Sequence, residues 1–277
     1  MRKYQLLLVG AAVLLLAGLY AFGRRVPEGK AAAPAAGPMM AADNTPAADF
    51  PTLLAAAKKP LSPEMQLNLS RLETVIRGDV KNQQINAYRA LAQTWDSLNQ
   101  APIAAHYLGE AAKLENSGKS LTFAANLFLT HLQHTEDPSV QKWEAGEAGT
   151  LLKQALELDP SNDSIKTALG KSYIAGGQVM QGVQQLLAVT DKDPDNLEAN
   201  LILGKLAITS GQYDKAVKRL EGVVALHPDN AEALYFLAEG YKGQGNKAQA
   251  VATFERCKKL VNNPDFSKEI DDYIKSF

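Results

Sequence analysis

Three consecutive blocks of 34 residues, 163–196, 197–230 and 231–264, align without a gap. A constant period of this length constrains the fold more than anything else in the chain. Each block is then one supersecondary unit that buries its apolar side only against its neighbours. The block endings carry the period openly, as DKDPDN, ALHPDN and LVNNPD, preceded by ELDPSN at Asn162. Each Pro follows a helical pattern, where it stops the helix because it has no N–H and clashes with the preceding turn. Gly177, Gly211 and Gly245 all fall at block position 15, between two helical stretches. In the middle block Leu203, Gly204 and Ala207 share one face of the first stretch, and Ala216, Leu220 and Val223 one face of the second. These spacings make one apolar stripe per helix. Small residues at positions 8 and 20 allow the two helices to approach closely.

The pattern resembles the tetratricopeptide repeat family. The resemblance rests on Leu at position 7, Gly or Ala at 8, Tyr at 11, Ala at 20, Leu or Phe at 24, a small or apolar residue at 27 and Pro at 32. Position 4 departs from it (Lys166, Asn200 and Leu234 where an aromatic is usual), as do Gly182 at position 20 and Asn262 at position 32. The same template fits residues 85–118, with Tyr88, Leu91, Ala92, Trp95, Ala104, Leu108 and Ala111 at the signature positions. Residues 119–162 are ten longer than the period, so longer helices or a longer turn are expected there, with the break near His134 to Pro138. The resemblance implies an all-α solenoid of five helical hairpins over 85–264, wound into a right-handed superhelix. A flanking helix is expected within 61–84, where Ser62 caps and Pro63 opens the first turn. Residues 265–277 suit a polar capping helix over the last hairpin.

The N-terminus has a different character. Residues 4–23 carry no charge and are mostly Leu, Ala, Val and Gly, between Arg2-Lys3 and Arg24-Arg25. Twenty helical residues span roughly 30 Å, the thickness of a bilayer core. Residues 1–23 therefore read as a single-pass anchor in a bacterial inner membrane, with the body on the periplasmic side. A cleaved signal peptide, or a cytoplasm-facing body, is the alternative, and flanking charges do not decide orientation. Residues 24–60 hold 12 Ala and six Pro among 37 residues, which predicts a tether, with one short helix allowed at 49–58.

Charge and composition exclude several function classes. Lys and Arg total 29 against 30 Asp and Glu, without the basic surplus that nucleic acid demands. One cysteine, Cys257, permits no intramolecular disulfide, and its packing position argues against a nucleophile. His131 and His134 share a helix face near Glu136 and Asp137, but two imidazoles fall short of a metal's ligand count, and a solvated helix end explains them. His106 and His227 read as structural. Residues 191–196 look like a calcium loop but have Asn196 and Ile202 where that loop needs Gly and Glu. Gly243 to Lys247 lacks phosphate-loop spacing and follows no strand. No enzyme, cofactor, metal or small-molecule substrate is expected.

The resemblance implies that block positions 2, 5, 9, 12 and 13 line a concave groove. Those positions include Lys171, Ile174, Leu201, Lys205, Ile208, Tyr235, Glu239 and Lys242. Leu201, Ile208 and Tyr235 are more apolar than a solvated surface requires, so they are expected to anchor a protein or peptide, with Lys171, Lys205 and Lys242 steering an acidic flank. Some family members clamp a terminal carboxylate with Lys at position 5 and Asn at 9. Here the pairs are Arg89/Gln93, Thr167/Lys171, Leu201/Lys205 and Tyr235/Glu239, so that clamp is absent. The expected function is a membrane-tethered interaction scaffold. A periplasmic holding factor for envelope proteins and a regulatory subunit of an enzyme complex are the alternatives.

Overall fold

The computed structural model describes residues 45–277. The charge-free run at 4–23 and most of the spacer lie outside the described residues. Thirteen helices follow one another among the described residues: α1 (Phe50–Lys58), α2 (Pro63–Ile76), α3 (Lys81–Ser97), α4 (Ala101–Glu115), α5 (Gly118–Leu132), α6 (Pro138–Leu158), α7 (Asp163–Ala175), α8 (Val179–Lys192), α9 (Leu197–Thr209), α10 (Tyr213–Leu226), α11 (Ala231–Gly243), α12 (Lys247–Val261) and α13 (Pro264–Lys275). Among these, no helix is long and apolar enough to cross a membrane.

Helices α3 to α12 form five antiparallel hairpins, each packed on the next. The three regular hairpins are built by identical devices. Asn162, Asn196 and Asn230, each at the end of a block, accept the backbone N–H of Ile165, Ala199 and Ala233 at 3.1, 3.1 and 2.8 Å. That side-chain bond satisfies one orphan donor of the next helix. At the inner turn Gly177, Gly211 and Gly245 take φ of 81°, 71° and 77°, a conformation costly for any residue with a Cβ. Within a hairpin the helices meet at the small residues: a Cβ on Gly182 would lie 2.6 Å from the carbonyl oxygen of Gly170. Ala216 and Ala250, at the equivalent position, are fully buried.

Successive first helices touch one another, α5 with α7, α7 with α9 and α9 with α11. The layer whose members lie closer together is the inner side of a curved stack, so the first helices line the concave face. Among second helices α4 and α6 also approach each other.

The long hairpin, α5 and α6, takes its ten extra residues at the turn. Counting back from Asn162, Ala148, Leu152 and Ala155 occupy the stripe positions of a regular second helix, and all three are fully buried. Residues 138–144 are therefore an added two turns at the start of α6. This extension carries Ser139, Lys142, Trp143 and Glu144 and stands beyond the edge of its neighbours.

Residues 45–60 differ from the tether expected of them. Asp49 caps α1 by accepting from the N–H of Thr52 at 3.0 Å, and Pro51 opens the helix. The N–H of Ala48 donates to the Ser139 carbonyl at 2.9 Å, and Lys142 donates to the Thr45 carbonyl at 2.7 Å. Phe50, with Ala48, Leu53, Leu54 and Ala57, supplies the apolar contact that an Ala/Pro-rich composition does not announce. The segment is a strap on the outer side of α4 and α6.

Candidate functional site

The first helices place the expected groove residues in unequal surroundings. Leu201 is 8% exposed and belongs to the core formed with Ala216, Leu220 and Leu237. Its side chain is shut between α9 and its neighbours, so it offers no surface to a ligand. Ile208 and Tyr235 are half-buried against the same core, and Tyr235 meets the Phe236 and Phe254 rings edge-on at 5.3 and 5.6 Å. Ile174 packs on the core of Leu186, Val189 and Leu203. The apolar character read as a binding signal belongs, for these four, to packing between neighbouring repeats.

The lysines are engaged as well. Lys171 pairs with Glu198 at 3.0 Å and Lys205 with Glu232 at 2.7 Å. Each links position 9 of one repeat to position 2 of the next, a rung between adjacent first helices. Lys205 also lies 4.8 Å from the centre of the Phe236 ring. Lys242 donates to the Tyr273 hydroxyl and sits over the Tyr273 and Phe277 rings at 4.0 and 5.0 Å. Burial, with Glu239 alongside, pushes the Tyr273 phenol up to about 12. Helix α13 thus closes the groove at this end, its Phe266, Ile270 and Tyr273 laid against Phe254 and Tyr235. Lys171, Lys205 and Lys242 hold the stack together before they meet anything else.

Towards the N-terminal half the same face is open. Phe123 is the sixth residue of α5, counted from the Ser117 cap as the regular hairpins are counted from their Asn caps, and is 58% exposed. Its counterparts at that position are Ala168, Ile202 and Phe236, all half-buried. Lys119, Asn126 and Thr130 on the same helix are exposed, as are Asn86, Arg89, Gln93 and Asp96 on α3. Arg89 pairs with Glu115 at 2.8 Å, and Glu115 also accepts from Ser120 at 3.0 Å, which ties α3 to the start of α5. The sequence argument passed over Phe123 because it worked from the regular blocks. A Phe just before the small Ala124–Ala125 pair of the second, longer block was the available signal.

Two histidine–glutamate pairs flank the extension of α6. Glu144 has no solvent exposure; one oxygen lies 2.6 Å from Nδ1 of His131 and the other accepts from the Thr135 hydroxyl at 3.0 Å. Burial raises the Glu144 carboxyl against the opposing pull of His131 and Thr135. His131 is therefore a partner to a buried carboxylate, whereas the sequence suggested a solvated helix end; His134 is exposed. One turn further along α6, Glu147 lies 3.1 Å from His106. Burial works to raise this second carboxyl, but the His106 bond and charge, with Lys113 nearby, leave it below the usual range. Both Thr135 and Glu144 address the same ring nitrogen of His131. That is not the relay in which an imidazole links an acid to a nucleophile through two different nitrogens. Among the described residues no three His, Cys, Asp or Glu side chains come together as a metal site. Cys257 is buried and donates to the Ala231 carbonyl at 3.4 Å, and burial pushes its thiol up, away from thiolate chemistry.

The family model described as tetratricopeptide repeat matches residues 144–206 and 207–266. Residues 144–266 are tetratricopeptide repeats. Among solved structures, MamA 41-end from Desulfovibrio magneticus RS-1 is similar at 20% identity with a TM-score of 0.51, over 65% of this chain and 97% of that one. A second structure of a MamA protein is similar at 16% identity with a TM-score of 0.50, over 65% of this chain and 92% of that one. At such identities the likeness is one of fold. No curated protein matches the chain by sequence.

Proposed function

We propose that this chain is a non-catalytic scaffold that holds a segment of a partner protein on its concave face, with Phe123 as the apolar anchor. One observation carries the reading. Where the equivalent side chains, Ala168, Ile202 and Phe236, are half-buried in the stack, Phe123 stands 58% exposed. A large aromatic left in water forgoes burial worth about 1.5–3 kcal/mol, and such a residue recovers it by docking a partner. Aromatic anchors of this kind dominate interface energies. Lys119, one turn before it on α5 and exposed, favours a partner segment that carries an acidic residue next to its apolar one. This places the binding region at the α3–α5 end, away from the Leu201, Ile208 and Tyr235 positions that the repeat pattern suggested.

The charge-free run at 4–23 supports a membrane tether for this scaffold, with the body exported. Carbonate extraction that leaves the protein in the membrane, and a reporter fused after Phe277 that works only outside the cytoplasm, test those two parts. The scaffold itself is tested by pull-down from a detergent extract. The wild type should retain one stoichiometric partner, and Phe123→Ser should lose it with melting unchanged. A folded Phe123→Ser chain that keeps every partner overturns the reading.

A further inference from the structure

The strap lies on the layer opposite the concave face, and its attachment is that of a bound peptide. Helix α1 contributes no buried residue. Its one aromatic is Phe50, whose ring stacks on His106 at 3.6 Å, lies 6.1 Å from Trp143 and meets Tyr107 edge-on at 5.6 Å; Leu53, Leu54 and Ala57 pack beside it, half-buried. Glu147 fixes the imidazole from beneath at 3.1 Å. Around this anchor stand one main-chain bond, Ala48 to Ser139, the Lys142 bond to the Thr45 carbonyl, and the pair at 2.5 Å between Lys58 at the end of α1 and Glu73 near the end of α2. The two added turns of α6 supply Ser139, Lys142 and Trp143, so the platform exists because this hairpin is longer than its siblings. A nine-residue helix is not stable alone in water. The segment is ordered by the surface it lies on, and lifting it off uncovers His106, Tyr107, Trp143 and Val140 as one aromatic and apolar patch.

We propose that this outer α4–α6 face is a second, peptide-docking site, independent of the concave face. Its ligand class is a short helix-opening segment with an aromatic residue between an Asp cap and a Pro. The occupant is the chain's own Asp49-Phe50-Pro51 segment, held reversibly. The aromatic side chain fills the His106–Trp143 cage, the Asp cap preorganises the helix start, and the preceding backbone pairs with Ser139. This is recognition by one anchor and a main-chain bond.

The test uses the full chain carrying Phe50→Ala. Amide exchange over residues 48–58 should quicken by about tenfold or more while α4 and α6 keep their protection. A synthetic peptide of residues 45–60 is then added, and Trp143 fluorescence is followed; Trp95, the other tryptophan, is fully buried in a different core. The peptide should bind the Phe50→Ala chain and bind the wild type at least about tenfold more weakly, because the tethered strap competes at high effective concentration. A peptide with Ala in place of Phe50 should not bind. The proposal is overturned if Phe50→Ala deprotects α4 and α6 along with the strap, which makes the strap integral core. It is equally overturned if the strap is released but the peptide leaves Trp143 unchanged up to about 1 mM.

Discussion

The hairpins of residues 163–264 and those of residues 85–162 share one architecture and differ in what they leave uncovered. In the C-terminal three, each first helix is sealed to the next by a buried or half-buried residue at position 5 and, at two junctions, by a Lys–Glu rung from position 9 to position 2. Regularity makes this possible: equal blocks bring equal positions opposite one another at every step. In the N-terminal two, the extended α5–α6 hairpin breaks that spacing. Phe123 then has no cover on the inner face, and the added turns of α6 make a platform on the outer face that the strap occupies. A repeat array binds where its period is broken, because that is where a side chain has no neighbouring repeat to fill its contacts.

The largest effect expected from this contrast is in the sealed half. Ala216→Arg forces volume and charge into a fully buried helix contact and should cost at least ~3 kcal/mol in urea unfolding, whereas exposed Lys218→Ala should stay within about 0.5 kcal/mol. Equal effects would mean that the helix faces are assigned wrongly.

The sharpest comparison sets one apolar first-helix side chain of each half against the other. Leu201→Ala should lose about 2–4 kcal/mol, as a buried Leu does. Phe123→Ala should change stability by no more than about 0.5 kcal/mol. If Phe123→Ala also costs several kcal/mol, the inner face of the N-terminal half is as closed as that of the other. It follows that the triple change Leu201→Ser, Ile208→Ser, Tyr235→Ser melts the array early and reports on the core, with no information about a binding face.

The two carboxylates of α6 should respond to pH in opposite senses. Glu147 is depressed below its ordinary 4.5, so the stability it contributes is present above that value and is lost as pH falls through the lower folded value. Glu144 is raised above 4.5, so its contribution is present below that value and declines as pH rises through the higher folded one. In unfolding measured from pH 3 to 8, Glu147→Gln should flatten the acid side of the profile and Glu144→Gln the less acid side. Matching profiles for the two variants would contradict the different burial of the two pairs.

Much of the fold was legible because it is local. The 34-residue period, the Gly at position 15 and the Asn that closes each block fix the hairpins through backbone conformation and capping, which need no knowledge of distant residues. The site was less legible because an apolar side chain on a first helix carries two meanings. Ile202 packs in the stack and its counterpart Phe123 stands in water, and only the packing of successive helices distinguishes them. His131 and Glu144 could have been paired from sequence. His131 continues the apolar stripe of Leu121, Ala124 and Phe128, and Glu144 stands one turn before Ala148, Leu152 and Ala155 on theirs. Two polar residues on facing apolar stripes must satisfy one another. The strap was half legible: Asp49 and Pro51 announce a helix start, but nothing local says that Phe50 meets a histidine 56 residues on.

A smaller effect separates the rungs from the binding face. Lys205→Ala removes an exposed ion pair and should cost no more than about 0.5–1 kcal/mol. Partner retention should be unaffected, since Glu232 already satisfies Lys205. A large loss of partner in this variant would return the lysine row to the binding face.

The central claim, a partner held at the open end of the inner face, is tested most directly by photo-cross-linking in cells. A photoreactive amino acid is placed in turn at position 123 on the inner face and at position 218 on the outer face of α10. The account predicts a discrete cross-linked product from position 123 and none from position 218. Products of equal yield from both positions, or a product from position 218 alone, would contradict it.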